Sequence, residues 1–167
     1  MLTVLLTGFV PFAEFRSNPS QQVVERLHGQ PIAGAEVVGL VLPVEFGADA
    51  ARVFPAIDQL RPGLVLSLGL AAGATCLHVE RLALNLRQCE GREVPIIPNA
   101  PAAYFATIDV DQAVEAMACR GVPARANLGA GTYLCNHLMY QTLHRAASQG
   151  LKYRAGFIHL PLATEQV

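Results

Sequence analysis

Apolar positions along the chain follow two periods. Leu2-Thr3-Val4-Leu5-Leu6-Thr7 is a short run closed by Gly8 and followed by a loop holding Phe9, Pro11 and Phe12, which predicts a buried first strand. After Ser17 and Asn18, Pro19 stands where a first helical turn accepts it. Val23, Val24 and Leu27 recur at helical spacing, so a helix is expected from about Pro19 to His28. Glu36–Leu42 reads as a second strand, Phe46–Leu60 as a helix interrupted near Pro55, and Leu64–Leu70 as a third, continuously apolar strand.

Beyond a small-residue turn from Ala71 to Ala74, Cys76–Leu86 reads as a strand covered on both sides. Leu77, Val79, Arg81 and Ala83 are expected to face one way and His78, Glu80, Leu82 and Leu84 the other. Arg87–Pro101 carries three prolines and several charges, which predicts loop with at most a short hairpin. Asp109–Arg120 has Val110, Ala113, Val114 and Met117 at helical spacing and ends at Gly121. A strand follows at Ala124–Leu128. Gly129-Ala130-Gly131-Thr132 then opens a helix with Leu134, Leu138, Met139, Leu143 and Ala146 on its apolar side, stopping at Gly150, and Tyr153–Leu160 is a last strand. The alternation of strands and helices predicts an α/β fold, and the lack of repeats, low-complexity tracts or linkers predicts one domain.

Composition narrows the function. In 167 residues, 52% are hydrophobic and 15% charged, enough apolar content for one sizeable core. Twelve basic against thirteen acidic residues give a net charge of -1 with no basic block, which disfavours nucleic acid. Runs such as Val37–Val44 and Gly63–Gly73 fall short of the roughly 20 apolar residues of a membrane helix, so no membrane partner is expected. Met1 leads directly into the first apolar run without a preceding Lys or Arg, the pattern of a strand and not of a signal peptide. Cys76, Cys89, Cys119 and Cys135 are widely spaced, with no C-x-x-C pair or grouped histidines; a reducing cytoplasm is the simplest setting.

Cys135 is the thiol with a distinctive setting, in the first turn of a helix just after two glycines. Unpaired amides and the helix dipole there favour a thiolate and can hold a developing oxyanion, whereas a small buried apolar residue is the plain alternative. A base is sought among five histidines. His28 and His144 read as solvated near helix ends, His137 as pointing to another face than Cys135, and His78 as exposed beside Glu80. His159 sits at the carboxyl end of the apolar strand Gly156-Phe157-Ile158-His159-Leu160, where open α/β sheets place ligand clefts, although a backbone-satisfied core histidine fits the same position. Glu80, amid Leu77, Val79, Leu82, Ala83 and Leu84, needs a partner if buried: an arginine, or an imidazole that it orients.

Several segments resemble the pyroglutamyl peptidase I family, in the family's order and over almost the whole chain. They are Leu6-Thr7-Gly8-Phe9-Val10-Pro11-Phe12, Asn18-Pro19-Ser20, Glu80-Arg81-Leu82-Ala83-Leu84-Asn85, Pro101-Ala102-Ala103-Tyr104-Phe105, Gly131-Thr132-Tyr133-Leu134-Cys135-Asn136-His137 and Gly156-Phe157-Ile158-His159. The resemblance implies a three-layer α/β/α sandwich with a mixed, mainly parallel sheet. It further implies a cytoplasmic cysteine peptidase that removes N-terminal pyroglutamate from peptides through an acyl-enzyme, with no metal and no organic cofactor. Carried over by position, Cys135 is the nucleophile, His159 the base and Glu80 its orienting partner, while Phe9, Phe12, Tyr133 and Leu134 line the lactam pocket. Family members suggest dimers or tetramers. The residues depart from the family pattern at Ala13-Glu14, where Gly-Gly is common, at Leu70, where some members have glutamine, and in a shortened stretch between Leu86 and Pro95. A single domain over residues 1–167 is expected, stopping short of the helix with which the family usually continues. A cysteine hydrolase of a related small lactam or amide, or a catalytically silent pyroglutamyl-binding protein, are the competing readings.

Overall fold

The computed structural model describes residues 2–166; Met1 and Val167, the two ends of the expected domain, lie outside them. The chain runs β1 (Leu2–Phe9), α1 (Pro19–Leu27), β2 (Pro31–Ile32), β3 (Ala35–Leu42), α2 (Ala48–Leu60), β4 (Leu64–Leu70), β5 (Leu77–Leu84), β6 (Arg87–Cys89), β7 (Arg92–Val94), β8 (Ala103–Phe105), α3 (Val110–Ala118), β9 (Ala124–Gly129), α4 (Leu134–Gln149) and β10 (Arg154–Leu160), then a short 3₁₀ turn at Thr164–Gln166. The main sheet is ordered β2-β3-β1-β4-β10-β5-β8, with β9 paired to β5. The β3-β1-β4-β10 core is parallel, as is β5 with β9, whereas β10 meets β5 antiparallel. The sheet is therefore mixed and mainly parallel.

Strand alternation divides the core into two layers. Leu6, Val37, Leu68, Ile158 and Leu160 pack with Val24 of α1 and Val110 of α3. Leu5, Leu42, Val65, Ala155 and Phe157 pack on the other face with Val53 and Ile57 of α2 and with Leu134, Leu138, Met139 and Tyr140 of α4. Because the period along a strand is two, consecutive residues such as Phe157 and Ile158 serve opposite layers, which is why these strands read as continuous apolar runs. No helix among the described residues is long and apolar enough to cross a membrane.

The structure corrects the expected elements in four places. Pro55 does not interrupt a helix: α2 continues through it from Ala48 to Leu60. The proline leaves the Ala51 carbonyl without its helical partner, but both residues lie on the exposed face, where water can replace the lost bond while Val53 and Ile57 hold the buried face. The alternation expected along 76–86 breaks after Arg81. Val79 packs on the α3 side and Arg81 pairs with Asp111 of α3, yet Ala83 belongs to the α4 side. The strand changes partner there, from β10 at His78 and Val79 to β8 at Leu82–Leu84. The short β2 and β8 were unmarked in the hydrophobic pattern because two- and three-residue strands carry too little alternation to read. His144 is not solvated near a helix end; it lies well inside α4, stacked on Tyr140 with Nδ1 3.0 Å from the Tyr104 hydroxyl.

Candidate active site

The site lies at the carboxyl ends of β4 and β10 and the start of α4. Gly131, with φ of 79°, turns the chain out of β9, and Tyr133 caps α4 without a side-chain hydrogen bond. Leu134 and Cys135 are thus the first two residues of the helix, where backbone N–H groups have no intrahelical acceptor. Opposite them, His159 stands on the α4 face of β10, alternating with Ile158 and Leu160, which face the other layer.

Glu80 is fully buried on β5 and spends both carboxylate oxygens. Oε1 lies 2.7 Å from His159 Nδ1, and Oε2 accepts from Asn127 Nδ2 at 2.8 Å. Of the two sequence alternatives for this residue, the imidazole is the partner, since Arg81 turns to Asp111 instead. A carboxylate accepting at Nδ1 makes that nitrogen the proton-bearing one and leaves Nε2 as the basic nitrogen.

Cys135 and His159 open on one cavity of about 260 Å³, together with Phe9, Phe12, Asn18, Val44, Leu70, Ala130, Tyr133 and Leu134. All four residues expected at a lactam pocket lie in its wall. Phe9 is almost wholly buried in the core, Phe12 packs edge-on against Phe15 at 5.7 Å, and Tyr133 is 51% exposed at the mouth. The start of the first loop is tied to α1 through Asn18, whose Oδ1 accepts from the backbone N–H and hydroxyl of Ser20, while Ser20 Oγ accepts from the Phe9 N–H. At Ala13 the loop turns with φ of 52°, a conformation that glycine adopts more easily.

Other influences in the fold oppose the helix start at Cys135. Burial pushes the Cys135 thiol up to about 12, the negative charges of Glu80 and Asp49 push the same way, and its own backbone N–H only partly opposes them. Desolvation by the apolar wall thus works against the helix terminus. A thiol that attacks has to give its proton to a neighbouring base. His78 is no independent candidate for that base. Its pKa is lowered, first by burial and then by Arg125, and it stands across the strand pair from His159.

Three features of the site escaped the sequence reading. Asn127 faces Glu80 only because β9 pairs in parallel with β5, placing the two residues in register. Gly69 is opposite His159 in the β4–β10 ladder; a glycine inside an apolar strand was the one available signal. Asn136 and His137, beside the thiol, are buried, and their partners Leu84 and Asp49 lie 52 and 88 residues away.

A family model described as pyroglutamyl peptidase matches residues 2–167. The chain belongs to the pyroglutamyl peptidase family. It is 43% identical to a pyrrolidone-carboxylate peptidase of Chromobacterium violaceum over 99% of this chain and 80% of that protein. It is 37% identical to the one from Pyrococcus furiosus, over 99% and 84%. Among solved structures, the pyrrolidone carboxyl peptidase of Thermococcus litoralis superposes with a TM-score of 0.95 at 35% identity, covering all of this chain and 80% of that one. The P. furiosus structure gives 0.94 at 36%, covering 99% and 84%. The three-layer sandwich with a mixed sheet is thus the architecture of this peptidase family.

Proposed function

We propose that this chain hydrolyses the bond after an N-terminal pyroglutamyl residue of peptides, with Cys135 as nucleophile, His159 as general base and acid, and Glu80 as the group that orients His159. The observation that carries the reading is the buried Glu80–His159 pair, 2.7 Å apart, whose His159 opens with Cys135 on a cavity walled mainly by apolar side chains.

His159 Nε2 takes the thiol proton as sulfur attacks the pyroglutamyl carbonyl. Amides of the first turn of α4 hold the developing oxyanion. The imidazolium, stabilised by Glu80, gives its proton to the departing amine. The neutral imidazole then takes a proton from the water that attacks the thioester carbonyl, and returns it to the sulfur as pyroglutamate leaves. The lactam ring is neutral and nearly flat, so Phe9, Phe12 and Leu134 can bury its carbons without stranding a charge. A pyroglutamyl arylamide assayed with the wild type and Cys135→Ala tests this. Release of arylamine by the first and none by the second is expected, and equal rates overturn the assignment. Binding of the substrate with no release by the wild type would indicate the silent binding protein instead.

The same reading places the protein in the cytoplasm, which fits four cysteines that are all unpaired. It also makes the chain one domain that forms dimers or tetramers, for which light scattering during chromatography is the test.

A further inference from the structure

The first turn of α4 carries three consecutive buried or half-buried polar side chains, Cys135, Asn136 and His137, which at 100° per residue leave the helix in three directions. Cys135 faces the cavity. The Asn136 carboxamide makes three bonds to the end of β5: Oδ1 accepts from the Leu84 N–H at 2.8 Å, and Nδ2 donates to the carbonyls of Leu84 and Leu86, each at 2.9 Å. His137 Nδ1 lies 2.8 Å from Oδ2 of Asp49, a fully buried carboxylate whose Oδ1 accepts from the backbone N–H groups of Gly47 and Ala50 at the start of α2.

The proposed mechanism uses neither residue, although a second buried imidazole–carboxylate pair two residues from a nucleophile looks like a second catalytic dyad. Its geometry argues otherwise, because both ring nitrogens are directed away from the thiol, Nδ1 to Asp49 and Nε2 to the side-chain amide of Gln141 at 3.5 Å. Meanwhile Asn136 ties the nucleophile's helix to the strand that carries Glu80, four residues before Leu84.

We propose that Asn136 and His137 are positioning residues for Cys135. Asn136 locks the first turn of α4 to the Glu80 strand, and His137 locks it to Asp49 at the start of α2. Together they fix the thiol's reach to His159. Reactions between groups held in place are sensitive to displacements well below an ångström, and a buried carboxamide with three partners has no alternative rotamer that keeps them. This inference rests on Cys135 being the nucleophile.

The test compares wild type, Asn136→Ala, Asn136→Ser, His137→Ala, His137→Ser and His137→Gln. Substrate-protectable iodoacetamide incorporation, carried to completion, counts competent sites, and turnover is expressed per counted site. Both alanine variants are expected to lose about tenfold or more in kcat per site with KM changed less than about threefold, and to be alkylated more slowly at neutral pH. His137→Gln, whose amide can still donate to Asp49, should recover most of the His137→Ala loss. Turnover per site within twofold of wild type, with only Tm lowered, would make both residues purely structural and overturn the proposal. If an alanine variant does not fold, Asn136→Ser and His137→Ser, whose short side chains fill part of the space without reaching the same partners, are read by the same criteria. Failure of the underlying reading looks different: wild-type protein would then take up iodoacetamide at Cys135 without losing activity.

Discussion

Gly69 and Cys135 meet so closely that a Cβ on Gly69 would stand 2.7 Å from the Cys135 sulfur and 2.9 Å from the ring of Phe157. Gly69 is also the residue opposite His159 in the β4–β10 ladder, so one missing side chain makes room for the thiol beside the histidine strand. Phe157 is fully buried and cannot retreat. Gly69→Ala should therefore displace the sulfur, lowering kcat by about tenfold or more and stability by roughly 1 to 3 kcal/mol. Steady-state kinetics and thermal melts check this; activity within twofold of wild type would refute it.

The two hydrogen bonds on Glu80 predict an ordered pair of losses. Glu80→Gln cannot accept from both His159 and Asn127, so turnover should fall by about 100-fold or more with KM nearly unchanged. Asn127→Ala frees only one carboxylate oxygen and should cost about tenfold. If Glu80→Gln instead raises KM at unchanged turnover, Glu80 contacts substrate.

Cys135 also predicts a pH dependence of stability. An unfolded thiol ionises near 9.0, whereas burial holds the folded one up to about 12. Between these values the unfolded chain binds fewer protons, so the contribution is fully present below about 9 and is lost as pH rises toward 12. Cys135→Ala removes it, and wild type should lose about 1 to 2 kcal/mol more than the variant between pH 8 and 10.5. Tyr153, whose phenol burial also pushes up to about 12, titrates in both proteins and cancels. Parallel melting curves across this range would show that the thiol is not shielded.

Phe12→Ala should lower kcat/KM for pyroglutamyl substrates by about 1 to 3 kcal/mol, the scale of lost apolar burial. Glutaminyl and prolyl arylamides bring an ammonium into the same apolar slot and should be cleaved far more slowly by the wild type. Comparable rates on all three would rule out this pocket.

Cys135 and His159 could be singled out in the sequence because their signals are local. A glycine turn before a helix marks one, and the end of an apolar strand marks the other. The layer order was legible too, since periods of two and 3.6 are written residue by residue. Strand partners are not written that way. That Glu80 meets His159 through an antiparallel pairing, that Asn127 falls in register with Glu80, and that Asn136 and His137 reach Leu84 and Asp49 depends on contacts 47 to 88 residues apart. The thiol's chemistry was decided the same way. A helix start favours a thiolate by itself, but the surrounding apolar wall and two buried carboxylates oppose it, and only the folded chain brings them to the sulfur.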